Sequence, residues 1–480
     1  MSIGALNRHP FLADYYELTM MNGIFQSEVA GKKLHFDVYF RQNPDRGGFS
    51  IAAGLEQMID YIENLRFGDD EIAFLRAKGI FADDFLAYLR KFKFTGDIYA
   101  MPEGTPMFPN EPFVRVRAPA IEAQLIETSL LLILNHQSLI ATKANRIVYS
   151  AQGRPVAEFG ARRAHGASAA LYGARAAYIG GVSSTSCTLA DLRFEIPASG
   201  TMAHSWVQMF DDEYESFRAY CERYPNNTTL LVDTYDVLRS GIPNAVRAIK
   251  DVLLPLGVTD YAIRIDSGDL TYLSKRSREM LDAAGLPNCK IVVSNSLDEY
   301  VIGDLLLQGA AIDAFGVGER LITSKSTPVF GGVYKLVAVE DEGGTITPKI
   351  KISENQSKIT TPGVKQVYRL FENGKASADL VCLDDEVIDT SKPLEIFDPD
   401  AVWKRKTLTD FTARELLVPI FINGERVYEC PPLPEVRDYC AAEVDLLWDE
   451  VRRFEQPHNY YVDLSLKLWT LRQALLLKNG

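Results

Sequence analysis

The spacing of apolar and polar positions changes rhythm along this chain. In residues 1–135 the pattern is mixed. KLHFDVYFRQNP (residues 33–44) alternates, with Phe36, Val38 and Phe40 on one side, and predicts a strand. GLEQMIDYIENL, from Gly54, predicts an amphipathic helix. DDEIAFLRAKG predicts another, with acids in its first turn and Gly79 at its end, as the helix dipole and C-cap rules favour. GDIYAMPEGTPMFPNEPFVRVRAP reads as β structure punctuated by Pro and Gly. IEAQLIETSLLLILNHQSLIATKANRIVYSA predicts one long buried helix, or two.

After residue 150 short β-rich runs alternate with helical stretches. VAEFGARRAHG precedes ASAALYGARAAYI; GTMAHSW precedes DDEYESFRAYCERY; TTLLVDTYDVL precedes PNAVRAIKDVLL; YAIRIDSGDL precedes YLSKRSREMLDAAG; KIVVSNSLD precedes EYVIGDLLLQG. Polar residues close the β runs at His204, Asp233, Asp266 and Ser294, with Gly316 after the next. Units of roughly 20–40 residues repeated in this way predict a parallel sheet with crossover helices. Polar strand ends favour a (β/α) barrel, full or partial. An open doubly wound sheet is the competitor, but its G-x-G-x-x-G fingerprint is missing. Beyond about residue 330 the alternation gives way to Gly- and Pro-broken strands. Two helices, LPEVRDYCAAEVDLLWDEVRRFE and VDLSLKLWTLRQALLLKNG, are predicted to follow.

Composition narrows the class. The 480 residues are 47% hydrophobic and 24% charged, enough to bury a sizeable core. Acids outnumber bases 64 to 51, and the net charge of −13 disfavours a general nucleic-acid or anionic-membrane binder while allowing a local basic pocket. The six cysteines are scattered without a C-x-x-C pair, which suits a reducing compartment. Residues 1–16 show no apolar leader core, and the run 130–134 is too short to span a bilayer. A cytoplasmic metabolic enzyme is the expectation.

Side chains at the tips of barrel strands face one shared site. Here they are Arg162, Arg163, His204, Asp233, Arg264, Asp266, Ser267, Asp269, Ser294, Asn295, Gly316 and Gly318. EFGARRAHG (158–166) sets two guanidiniums just after a strand, matched to pyrophosphate oxygens or to an ordinary salt-bridged surface. IRIDSGD (263–269) places two acids about a Ser-Gly turn. They suit magnesium or ribose hydroxyls, and Asp269 equally suits a helix N-cap. FGVGERLIT (315–323) either offers Gly-x-Gly amides to a phosphate or is a plain tight turn. SGTMAHSWVQMF (199–210) carries His204, one of six histidines, as base, metal ligand, phosphoryl acceptor or satisfied core residue. FLADYYELTM (11–20) can stack a tyrosine on a flat ring or pack its aromatics into a core.

The stretches ADYYELTM, DVYFRQNP, EFGARRAHG, SGTMAHSW, LLVDTYD, IRIDSGDL, IVVSNSLDE, FGVGERLIT, GGVYKLVAV and KISENQSKITTPG occur in that order from residue 13 to residue 363. Together they resemble the nicotinate phosphoribosyltransferase family. The resemblance implies a type II phosphoribosyltransferase. Its irregular (β/α) barrel would span residues 136–330 and carry most of the active site; residues 1–135 with 331–480 would form a mixed α/β domain. It implies transfer of phosphoribosyl from phosphoribosyl pyrophosphate to nicotinate, coupled to ATP hydrolysis through a phosphohistidine, in the first step of NAD salvage. Formally such an enzyme is a C–N ligase.

The same resemblance assigns residues. His204 would be phosphorylated, and Asp266 and Asp269 would serve catalysis, with Asp266 also a ligand of Mg2+. Tyr16 would stack on the pyridine ring and reach the other subunit's site, implying a homodimer. Thr201 and Arg264 would contact nicotinate, and Arg162 and Arg163 the pyrophosphate. Ser205, Ser267, Ser294, Asn295, Gly316, Gly318 and Glu319 would line the substrate site. Where some relatives carry Thr, this chain has Glu319. A carboxylate beside a phosphate repels it, so either Glu319 points away or backbone amides hold the phosphate. Rival readings are a nicotinamide phosphoribosyltransferase, a barrel aldolase or isomerase acting on a sugar phosphate, and a non-catalytic pyridine-nucleotide sensor.

Overall fold

The computed structural model describes residues 8–479. Of the stretch 1–16 read for a leader core, residues 1–7 lie outside the described residues. The chain divides into two compact units: Lys143–Pro328, and the chain up to Thr142 together with Val329 onward.

The second of these centres on a seven-stranded antiparallel sheet. Its order is Ile346–Pro348, Val333–Glu340, Lys33–Tyr39, Val114–Pro119, Asp97–Ala100, Val418–Ile422, Glu425–Arg426. The strand predicted near residue 33 forms, but its alternation leaves no wet face. Phe36 stacks on Tyr334 with ring centroids 4.2 Å apart. The polar positions are buried too: His35 bonds Glu340 at 3.2 Å and Asp37 meets Lys365 at 2.9 Å. Charges survive such burial only when paired. A four-stranded sheet (Thr412–Glu415, Lys365–Glu372, Lys375–Leu383, Val462–Leu464) encloses a similar pair, Arg369 and Asp379 at 2.6 Å. The helix predicted from residue 433 is broken into Leu433–Asp445 and Asp449–Arg452, because Leu447 between them turns into a cluster with Phe108 and Tyr460. No helix among the described residues is long and apolar enough to cross a membrane.

The apolar run 121–151 resolves into two helices, Ala120–Leu125 and Glu127–Ser150. The break is filled from far away in sequence. Glu17 Oε1 accepts from the Thr128 N–H at 3.0 Å and from its hydroxyl at 2.7 Å, as an N-cap would. Glu17 is fully buried and its Oε2 has no hydrogen-bond partner. Burial pushes its carboxyl up to about 7, against the pull of the Thr128 bonds. In the unfolded chain the group titrates near 4.5. Between those values the folded state holds a proton that the unfolded state has released, so stability falls as pH rises through the window. A Glu17→Gln variant lacks that loss. Its stability relative to wild type, from urea unfolding, should rise between pH 5 and pH 8 by up to about 3 kcal/mol; a constant difference would reject the assignment.

The unit Lys143–Pro328 is built on six parallel strands. In chain order they are β1 Val156–Glu158, β2 Ser184–Thr185, β3 Thr228–Leu231, β4 Tyr261–Ile265, β5 Lys290–Ser294 and β6 Ala314–Val317. Side by side they run β2, β1, β6, β5, β4, β3. Helices including Ala167–Ile179, Leu270–Ala283 and Glu299–Leu307 make the crossovers. Leu230, Ile263, Ile265, Ile291, Val293, Phe315 and Val317 are in register on one face of the sheet, and all are buried. The sheet curls into a half-barrel. Among the described residues no ladder closes β3 onto β2.

One β-rich run does not become a strand. GTMAHSW is an irregular segment followed by the short helix His204–Gln208. Only Ala198, bridged in parallel to Thr185, extends the sheet edge there. Met202 and Val207 are buried and Thr201 is engaged through its side chain, so this stretch is fixed by its side chains and not by a ladder.

Candidate active site

All six strands point their C-terminal ends the same way, and the polar residues gather there. Arg264, in β4, is the hub. Its Nε donates to Ser294 Oγ, its Nη1 to Thr201 Oγ1 and its Nη2 to Asp266 Oδ1, each at 2.8 Å. Ser294 also donates to Asp266 Oδ1. The ends of β4 and β5 and the 198–204 segment are thereby joined through one guanidinium, whose fixed fork suits such multiple bonding. The segment itself is tied to β2 by the Thr185–Ala198 bridge and by Ser184 Oγ to Ser199 Oγ at 2.7 Å.

His204 opens its short helix beside this hub, with 42% of its side chain exposed. Its Nδ1 is hydrogen-bonded to Thr234 Oγ1 at 3.1 Å. Its Nε2 stands 4.0 Å from Asp233 Oδ1 and 3.9 Å from Asp266 Oδ2. The Asp233 side chain is 1% exposed, and Oδ1 has no hydrogen-bond partner among the described residues. Oδ2 accepts from the Asp266 N–H at 3.1 Å and from Ser267 Oγ at 2.6 Å. A bare, buried carboxylate oxygen aimed at an accessible imidazole is a poised arrangement. It can take a proton from the ring or share a cation with it.

The turn after β4 depends on Gly268, whose φ of 82° is left-handed and costly for other residues. Asp269 takes the capping option: Oδ1 accepts from the Tyr272 N–H at 3.0 Å and starts Leu270–Ala283. After β5, Asn295 and Ser296 are both left-handed, at φ 86° and 53°, a strained corner of the kind that collects at functional loops. Ser205 is exposed on the His204–Gln208 helix.

Arg162 and Arg163 are exposed in the turn Ala161–Arg163 after β1. The structure brings them beside Gly318 and Glu319, the loop of neighbouring β6, and not into hydrogen bonding with the Arg264 cluster. β6 and β5 lie between β1 and β4, so the strands that carry the two groups of cations are three spacings, roughly 14 Å, apart along the sheet. Glu319 Oε1 is held by Lys325 Nζ at 2.8 Å. Tyr16 belongs to the other unit, on the helix Tyr15–Phe25. It is half-exposed, and its hydroxyl is pushed up to about 12 by burial and by Glu127, Glu17 and Asp14.

Phe159 escaped the sequence reading. Its ring lies 5.4 Å from the Arg264 guanidinium, and a Cβ on Gly316 would meet it at 2.5 Å. An aromatic directly at a strand tip was the available signal. Gly316→Ala should overpack this contact and lower stability by about 1–3 kcal/mol. A thermal midpoint equal to wild type would contradict it. Thr234 and Glu158 were missed as well. Glu158 is buried at the end of β1, accepting from the Gly160 N–H and, at 2.7 Å, from Thr185 Oγ1; burial raises its carboxyl above the usual range.

Among the described residues no three His, Cys, Asp or Glu side chains form a metal cage. Magnesium does not need one. It commonly takes one or two carboxylates and completes its octahedron with water and phosphate oxygens. Asp233 Oδ1 and Asp266 Oδ2 fit that partial role.

The comparisons with known proteins agree along the length of the chain. Residues 11–135 match the nicotinate phosphoribosyltransferase (NAPRTase) N-terminal domain, 155–375 the NAPRTase family and 364–472 its C-terminal domain. The chain is 45% identical over 459 residues to a nicotinate phosphoribosyltransferase of Bacillus subtilis, covering 95% of this chain and 93% of that one. It is 40% identical over 465 residues to nicotinate phosphoribosyltransferase pncB2 of Mycobacterium tuberculosis, covering 96% and 92%. The crystal structure of human nicotinic acid phosphoribosyltransferase superposes with a TM-score of 0.83 at 28% identity, covering 97% of this chain and all of that one. With that agreement the chain belongs to the nicotinate phosphoribosyltransferase family and has the type II phosphoribosyltransferase fold.

Proposed function

We propose that this chain transfers phosphoribosyl from phosphoribosyl pyrophosphate to nicotinate, releasing pyrophosphate, and couples the step to ATP through His204. The observation that supports this most is the joined cluster of Arg264, Asp266, Ser294 and Thr201 with His204 and Asp233 beside it. In the reaction the pyridine nitrogen donates its lone pair to the ribose anomeric carbon. The C–O bond to pyrophosphate breaks, and its electron pair leaves with pyrophosphate. Positive charge grows on the sugar and negative charge on the leaving group. Asp266, fixed by Ser294 and Arg264, favours the cationic sugar, and Arg162 and Arg163 favour the anion. No strong general base is required, because the ring nitrogen is already nucleophilic. Thr201 and Arg264 offer donors to the nicotinate carboxylate, and Tyr16 of a second subunit would cover the ring in a homodimer. Asp269 serves by capping the helix that follows the Asp266 turn.

Magnesium, held by Asp266 and Asp233 with substrate oxygens, would supply charge neutralisation at the leaving group. His204 would accept the γ-phosphoryl of ATP on a ring nitrogen, the β–γ P–O bond breaking with its electron pair going to ADP. The charged phosphohistidine would then reorder the strand-tip loops, and its hydrolysis would reset them. The setting is proposed to be cytoplasmic, consistent with six free cysteines. The test is pyrophosphate release from nicotinate and phosphoribosyl pyrophosphate, with and without ATP, and with nicotinamide as competitor. Release that nicotinate supports and ATP accelerates is expected. Preference for nicotinamide, or no pyrophosphate from either, would reject the reading.

A further inference from the structure

The loops after β1 and β6 hold an ionic arrangement in which one member, Glu319, has no part in the transfer reaction described above. They are packed without slack: a Cβ built on Gly160 would stand 2.5 Å from Ile322 Cβ. That contact sets the arginine turn against Glu319–Ile322. Glu319 is the focus of charge there. Lys325 donates to its Oε1 at 2.8 Å, and Arg163 and Arg320 also act on it, so its carboxyl is held below the usual range. Asp298 pairs with Arg320 on the far side. Glu319 and Lys325 are both accessible, at 39% and 61% of their side chains, so neither is locked in place.

We propose that Glu319 is an internal counter-anion: its carboxylate pairs with Lys325 beside the arginine turn in the free protein, and a phosphate or pyrophosphate group of the phosphoribosyl substrate displaces it on binding. This rests on the phosphoribosyl reading above. Carboxylate and phosphate compete for the same guanidinium and ammonium donors. An exposed ion pair contributes little, so displacement is easy and the device tunes affinity without blocking it. Lys325 has the opposite sign of effect. It draws the Glu319 carboxylate to itself, and without it the full negative charge remains beside the incoming anion.

The test is calorimetric binding of inorganic pyrophosphate to the full chain at constant magnesium. Glu319→Gln should tighten binding about 3- to 10-fold and Lys325→Ala should weaken it by a similar factor. The double variant should return to within about twofold of wild type, and both shifts should shrink at high salt. Glu319→Thr, also neutral, should behave as Glu319→Gln. Single variants that shift in the same direction, or a Glu319→Gln protein that binds no more tightly, would overturn the counter-anion. Failure of the wild type to bind pyrophosphate at all would overturn the phosphoribosyl reading with it.

Discussion

Arg264→Ala should reduce kcat/KM for nicotinate by about 10²- to 10³-fold. The guanidinium is 14% exposed and makes three side-chain bonds, to Ser294, Thr201 and Asp266. Removing it leaves Asp266 without its cation and frees Thr201 from the strand tips. On the proposed mechanism the ring carboxylate would lose a positive partner and Asp266 its orientation, so KM and kcat should both suffer. Arg264→Lys should recover little, since an ammonium cannot reproduce the fork. The unpaired carboxylate should also cost about 1–3 kcal/mol of stability. Steady-state kinetics with thermal unfolding separates the two effects. Activity in Arg264→Lys close to wild type would mean that simple charge, not the fork, is what the site uses.

His204→Ala should abolish ATP stimulation while leaving a slow, ATP-independent transfer. The imidazole is accessible and faces two carboxylates near 4 Å, but among the described residues its one direct hydrogen bond is to Thr234. Little of the fold depends on it. Its loss should therefore leave the thermal midpoint nearly unchanged and remove the gain that the proposed phosphorylation would confer, on the order of 10- to 100-fold in kcat/KM. Asp233→Asn is the complementary change. It removes the bare buried charge while preserving the bonds from Asp266 N–H and Ser267, and it should slow phosphorylation more than it slows transfer without ATP. Stimulation by ATP undiminished in His204→Ala would place the coupling elsewhere.

The strand–helix alternation made the parallel sheet legible, because period and spacing are local properties. The strand tips at Asp266, Ser294 and Gly316 followed from it directly. Three features were not legible, each because a distant partner decides it. GTMAHSW has strand-like small and β-branched residues, but its position is set by Arg264, 63 residues away from Thr201. The break before Glu127–Ser150 is stabilised by Glu17, 111 residues from Thr128. His35 and Asp37 occupy the polar phase of a strand yet are buried, because Glu340 and Lys365 come from the other end of the chain. The site shows the same division. Asp269 fitted both ligand and cap from its local sequence, and the structure shows the cap, made to the Tyr272 N–H through Oδ1. Glu319 pairs with Lys325, six residues on, and the side-chain geometry was needed to see it.

Incubation with γ-labelled ATP and magnesium, followed by acid and alkaline treatment of the denatured protein, tests the centre of the account. Label that is lost in acid, retained in alkali, present in Arg264→Ala and absent in His204→Ala is the predicted result. Label that persists in His204→Ala would contradict it.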